Sequence, residues 1–171
     1  MKNAYVLIGL PGSGKSTWAE DFLDHHLGTA VKLSTDDYIE RVAAAQGKTY
    51  SEVFSAHMGA ATSALNASLE EAAADGKNII WDQTNLTRQK RIEKVARLRA
   101  LGYDVYAIVF KVSFIVLSAR LTGRPGKIIP DHVLQSMISS YVEPSLDEGF
   151  VWIADITHDE EGKSVVALRI P

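Results

Sequence analysis

Cysteine is missing from all 171 positions of the chain. Its absence excludes a disulfide framework, thiolate metal ligation and a thiol nucleophile, and it fits a reducing compartment. The five histidines show no H-E-x-x-H or similar spacing, so no zinc site is indicated. G-x-S-x-G is absent too, which leaves few nucleophiles for a hydrolase. Positive charge is in short supply: 18 Lys and Arg stand against 21 Asp and Glu, for a net charge of −3 and a pI near 5.9. Such a chain has no overall positive field to draw in nucleic acid, so a partner of that kind must be held by a local patch. Long apolar runs are lacking as well. The longest, 105–117, is interrupted by Lys111 and Ser113 and falls short of the roughly 18–20 residues that cross a bilayer. The apolar residues ahead of Pro11 are too few for a signal-peptide core, so the expected location is cytoplasmic, with no membrane partner. No repeat, linker or low-complexity tract divides the sequence, and a single domain over 1–171 is expected.

What the chain does have begins at Gly9. The run Gly9-Leu10-Pro11-Gly12-Ser13-Gly14-Lys15-Ser16-Thr17 satisfies G-x-x-x-x-G-K-[ST] at every position. The apolar run 4–8 before it reads as a short buried strand and the segment from Lys15 to His26 as a helix. Glycines let successive backbone N–H groups turn inward around phosphate oxygens, and the helix start adds unpaired N–H groups and the positive end of its dipole. Gly12, Ser13, Gly14, Lys15, Ser16 and Thr17 are therefore the candidate nucleotide-binding residues. The ammonium of Lys15 suits the β and γ phosphates and the hydroxyl of Ser16 suits Mg²⁺.

Further along, Ala30–Leu33 reads as a second strand that delivers Asp36 and Asp37 to the sheet edge where ligands gather. Asp36 is the candidate base, and Asp37 the expected N-cap of a helix from Tyr38 to Ala45. A long alanine-rich helix is predicted over Ser51–Ala74, with Thr49 and Glu52 at capping-box spacing. His57 and Asn66 are assigned to its solvent side. A third strand, 77–81, brings Asp82 to the same edge, where it either meets Mg²⁺ or organises a turn with Thr84 and Asn85. The next helix, Thr87–Leu101, carries Arg88, Lys90, Arg91, Lys94, Arg97 and Arg99 above a stripe of Ile92, Val95, Leu98 and Leu101. It is either a solvated amphipathic helix or a track for phosphates. Strand 103–110 follows, then a helix from Ser113 whose end carries Arg120 and Arg124. Arg is the residue expected where a transferring phosphate is gripped by a planar fork. Pro130 starts a further helix through Tyr141, and strands at Phe150–Ala154 and Ser164–Ile170 close the sheet, with a hairpin joining them. Alternating strands and helices of this kind predict an α/β fold: a mostly parallel central sheet flanked by helices, with a helical lid over about 120–141.

Four blocks in order, GLPGSGKSTW at 9–18, STDDY at 34–38, DQTNL at 82–86 and RLTGRPGKIIP at 120–130, resemble the kinase domain of phage-type 5′-polynucleotide kinases. YVEPSLDEGF at 141–150 looks more like the animal DNA-repair enzymes of that kind. The resemblance implies a phosphate-loop kinase that transfers the γ-phosphate of ATP to the 5′-hydroxyl of DNA or RNA. By analogy Lys15 and Ser16 hold the donor phosphates and Mg²⁺, Asp36 is the general base, Arg124 stabilises the transferred phosphate and Arg120 helps grip the donor. Asp82, Thr84 and Asn85 would lie near the acceptor, although Gln83 departs from the family pattern there. The family's arginine three residues after the aspartate, which can bind the acceptor's 3′-phosphate, is Ile39 here, so Arg41 or the basic helix substitutes, or the acceptor is not a nucleic acid with that phosphate. Two other expectations stand beside this one: a kinase of a sugar, nucleoside or antibiotic on the same scaffold, and a non-catalytic nucleotide-dependent RNA-binding module.

Overall fold

A computed structural model of the chain describes residues 2–123, 126–158 and 163–171. The elements in order are β1 Lys2–Ile8, α1 Lys15–His25, β2 Ala30–Leu33, α2 Thr35–Gln46, α3 Tyr50–Ala74, β3 Asn78–Asp82, α4 Arg88–Ala100, β4 Tyr103–Phe110, α5 Phe114–Thr122, α6 Asp131–Ser140, a 3-10 turn at Leu146–Glu148, β5 Ile153–His158 and β6 Ser164–Arg169. The strands form one sheet in the order β2-β3-β1-β4-β5-β6, parallel apart from the last, antiparallel pair. From β1 the chain first builds outward to β2 and β3, then crosses to β4 on the other side. The loop after β1 therefore sits where the strand order reverses, the crevice in which open α/β sheets bind ligands.

Alternation along β1 explains how both faces are filled. Ala4, Val6 and Ile8 point into a core with Leu65, Leu69 and Ala72 of α3 and Val95 and Leu98 of α4, while Leu7 faces Ala19 of α1. Parallel strands covered on both faces read as near-continuous apolar runs, as these do. A third cluster, Ile39 and Ala43 of α2 with Val53 and Ala61 of α3, clamps those two helices together beyond the edge strand β2.

Four sequence expectations need correction. Helix α2 starts at Thr35, three residues early, because the side chain of Ser34 caps it by accepting the N–H of Asp37 at 3.2 Å. Asp37 is thus not the cap, and Asp36 lies in the first helical turn. The buried stripe of α4 holds Arg91, fully buried, in the place expected for Ile92, which is 39% exposed. Strand β5 begins at Ile153 rather than Phe150. Residues 150–152 still lie along β4, through bonds from Val151 N–H to Val105 O and from Ala107 N–H to Trp152 O. The last two strands pair as expected.

Candidate active site

The phosphate loop is shaped by backbone that side chains would obstruct. A Cβ on Gly9 would stand 2.7 Å from Ser13 Oγ and 3.0 Å from Phe110 O. Gly14, which precedes α1, has φ 102°, a left-handed conformation that costs a side-chain-bearing residue energy. Within this loop Lys15 is buried and its Nζ donates to Gly9 O at 3.0 Å and Leu10 O at 2.9 Å. Ser16 and Thr17 are exposed at the helix start. Across from them the buried carboxylate of Asp82, at the end of β3, accepts from Ser16. Burial pushes the Asp82 carboxyl up, and the Ser16 bond with the fields of Lys15 and Lys32 offsets this only in part. From α5, Arg120 reaches over and donates to Gly12 O at 3.1 Å. Arg124 lies outside the described residues.

Behind the loop, residues 83–86 form a brace. Gly9 N–H donates to Thr84 O at 3.0 Å, and Asn85, buried with φ 50°, donates from Nδ2 to Leu7 O at 2.6 Å. Its Oδ1 accepts from Lys94, which also donates to Gln83 Oε1 at 2.7 Å and lies over the Trp81 ring. Burial, assisted by Lys90, lowers the Lys94 ammonium to about 8. Arg91 completes the brace: it holds Glu148 through two bonds of 2.7 Å and donates to Leu86 O at 2.8 Å, with both side chains fully buried. Arg88 pairs with Asp147 at 2.8 Å and Arg97 with Glu70 at 2.8 Å. Of the six basic residues of α4, four thus have partners within the chain, two of them at the surface, and the helix is amphipathic as expected, with Arg91 added to its buried stripe.

On the other side of the loop, Asp36 sits at a corner made by α2, the start of α3 and residues 126–128. Tyr50 Oη donates to its Oδ1 at 2.8 Å, and Lys127 Nζ to its Oδ2 at 2.8 Å. Lys127 also donates to Glu40 at 2.9 Å and lies 4.2 Å from the centre of the Tyr50 ring. Burial alone would raise the Asp36 carboxyl; the field and bond of Lys127, then Tyr50 and Lys15, outweigh it and hold the group below its usual range. Burial and the facing carboxylate push the Tyr50 phenol up, so it stays a donor. The charge of Lys15 favours the ionised form of both Asp36 and Asp82, although burial leaves Asp82 raised.

The candidate residues therefore separate. Lys15, Ser16, Asp82, Arg120 and Asp36 gather around the mouth of the loop. Thr84 contributes its carbonyl and Asn85 its amide to the brace. Arg41 stacks on Tyr38 and lines a groove of about 720 Å³ together with Lys32, Asp37 and Leu65. Ile39, in the place of the family arginine, is fully buried. Tyr50, Glu40 and Lys127 were not singled out from sequence. The one signal for them was the capping box at Thr49 and Glu52, whose carboxylate accepts from Thr49 N–H at 2.7 Å and so fixes the α3 start beside Asp36. Among the described residues there is no helix long and apolar enough to cross a membrane, and no group of three His, Asp or Glu that would hold a metal by itself.

Comparison with known proteins bears on the family and the fold. A family model described as an AAA domain matches residues 5–144. Among solved structures, a putative kinase from Chloroflexus aurantiacus J-10-fl superposes with a TM-score of 0.68 at 18% identity, covering 90% of this chain and 88% of that one. The RNA repair complex Pnkp1/Rnl/Hen1 contains a chain that superposes with a TM-score of 0.63 at 24% identity; the match covers 81% of this chain and 43% of that one. A sugar kinase from Janibacter sp. HTCC2649 gives 0.57 at 22% identity, with 91% and 86% covered. At these identities the likeness is one of fold, and the fold is that of phosphate-loop kinases.

Proposed function

This chain belongs to the AAA domain family, and we propose that it is an ATP-dependent kinase acting on the 5′-hydroxyl of a polynucleotide, DNA or RNA, with Asp36 as general base. The observation that carries the reading is the pairing of a phosphate loop after β1 with a carboxylate held in its ionised form, Asp36, in the first turn of the helix that follows β2, where the charge of Lys15 also reaches it. The loop N–H groups and Lys15 bind the β and γ phosphates of the donor. The acceptor oxygen forms its bond to the γ-phosphorus as the bond to the β–γ bridging oxygen breaks. The hydroxyl proton passes to an Asp36 carboxylate oxygen, and ADP departs with the bridging oxygen's electron pair. Arg120, and Arg124 by analogy, would supply positive charge as negative charge redistributes over the transferring group. The hard oxygen donors Ser16 and Asp82, side by side at the loop, fit Mg²⁺, which when bound offsets phosphate charge. On this reading Asp82 serves the donor side, while Thr84 and Asn85, expected near the acceptor, hold the loop through a backbone carbonyl and a side-chain amide.

A second reading, a kinase of a sugar, nucleoside or antibiotic, is favoured by one observation. Ile39, where the family arginine would stand, is fully buried, and two cations of the basic helix, Arg91 and Arg88, are paired with acids. A non-catalytic RNA-binding module has the least support, since Asp36 is held ionised beside a complete phosphate loop. The test is incubation with γ-labelled ATP, Mg²⁺ and a 5′-hydroxyl oligonucleotide, beside a panel of sugars, nucleosides and aminoglycosides. Label on the oligonucleotide supports the first reading; label only on a small acceptor replaces it with the second.

A further inference from the structure

We propose that Lys127 is a positioning residue that occupies the acceptor's place at Asp36 and keeps water from being phosphorylated when no acceptor is bound. The inference rests on the reading of Asp36 as the base. Each oxygen of that carboxylate already accepts one bond, Oδ1 from Tyr50 and Oδ2 from the Lys127 ammonium at 2.8 Å. A hydroxyl that is to hand its proton to Asp36 must bond to one of these oxygens at about the same distance. On Oδ2 the ammonium holds one of the positions from which the acceptor hydroxyl would come, with its charge facing the incoming proton.

Lys127 is held there from three directions. Glu40 takes a second of its protons at 2.9 Å, and the Tyr50 ring lies beneath the charge. The backbone on either side is tied down as well: Gly126 O accepts from Ser51 N–H at 3.2 Å, and Ile128 N–H donates to Ser51 Oγ at 3.2 Å. Gly126 also lies against Thr49, where an added Cβ would come within 3.3 Å of the Thr49 side chain. The side chain of Lys127 is only 17% exposed.

Outside this contact lies a hollow of about 460 Å³ lined by Glu40, Lys48, Thr49, Tyr50, Gly126 and Lys127. Asp36 does not line it; its two partners do. An acceptor entering from this side meets Lys127 before Asp36. Glu40, already bonded to Lys127, gives the ammonium a place to remain when the acceptor hydroxyl takes over Oδ2. Water that takes that position must displace the same charge-assisted contact without the binding energy an acceptor brings.

The charged and titratable groups facing Asp36 are Lys127, Tyr50 from α3 and Lys15 from the loop, with Glu40 opposing through Lys127. Removing Lys127 frees Oδ2 and takes away the strongest of the influences that lower the carboxyl, so the remaining base is both more accessible and more basic.

The experiment measures ATP hydrolysis by the full chain with Mg²⁺ and no acceptor, for wild type, Lys127→Met, Lys127→Arg and the double variant Lys127→Met/Asp36→Asn, with thermal melting of each as a check on folding. Lys127→Met is expected to hydrolyse ATP about tenfold faster than wild type, a modest share of the ~10²–10⁴ that a positioned base contributes. The acid limb of its pH profile should move upward. Lys127→Arg should stay near wild type, and the double variant should fall back to it. Hydrolysis by Lys127→Met at or below the wild-type rate overturns the inference; if Asp36→Asn still abolishes transfer to an acceptor, the base assignment survives. Faster hydrolysis that persists in the double variant removes Asp36 as the base, and the inference falls with it.

Discussion

The phosphate loop and the corner around Asp36 are built from different materials. The phosphate loop is held by backbone: glycine conformations, Gly9 N–H on Thr84 O, and the Asn85 amide on Leu7 O. Beneath it lies a buried pair, Arg91 with Glu148, neither exposed at all. The corner around Asp36 is held by side chains from α2, α3 and residues 126–128, meeting in contacts that are partly open to solvent: Asp36 is 50% and Glu40 56% exposed. A site that must present fixed N–H groups to a triphosphate benefits from a frame that does not move. A site that must release one partner and accept another is better served by exchangeable ion pairs, which near water contribute little to stability.

That contrast can be broken most forcefully at the brace. Arg91→Ala leaves the Glu148 charge buried without its partner, and the expected loss is about 3–5 kcal/mol in urea unfolding; a loss below ~1 kcal/mol would mean that the frame is not what holds the loop. Next in size, Lys15→Ala should keep the fold and lower label transfer by ~10²–10³, the range for one transition-state donor. Equal melting with unchanged transfer would remove Lys15 from the donor site.

A smaller effect concerns Lys94. Its ammonium falls to about 8 in the folded protein against an ordinary 10.5. Between those values the unfolded chain binds more protons than the folded one, so the contribution of Lys94 to stability rises with pH. The stability difference between wild type and Lys94→Met, followed by urea unfolding from pH 7 to 10.5, should shift in favour of wild type above pH 8. A flat difference contradicts the burial account. The smallest change is expected for Tyr50→Phe, which removes one of the bonds that hold the Asp36 carboxyl down. Carboxylate activity is present above the depressed value and lost as pH falls through it, so the acid limb of the transfer profile should move upward slightly, with melting unchanged.

The phosphate loop was legible in the sequence because its chemistry is contiguous. Residues 9–17 carry the loop, and the apolar runs around them specify strand and helix without help from elsewhere. Strands β1, β2 and β4 fall where their apolar runs place them for the same reason. Arg91 was misplaced because helical spacing cannot tell an apolar position from one where a charge meets a buried partner 57 residues away. The corner around Asp36 was legible only in Asp36 itself. Tyr50 and Lys127 are 14 and 91 residues from it, and no local pattern announces such a meeting. Ser34 displaced Asp37 as cap because both are good capping residues, and only the point where β2 ends decides between them.

The central claim is that Asp36 takes the acceptor's proton while the phosphate loop holds the donor. Its most direct test is single-turnover transfer of label from γ-labelled ATP to a 5′-hydroxyl oligonucleotide by wild type and Asp36→Asn, with ATP binding measured on both. The account predicts transfer reduced by ~10²–10⁴ in the variant with ATP affinity and melting close to wild type. Transfer at the wild-type rate by Asp36→Asn would contradict it.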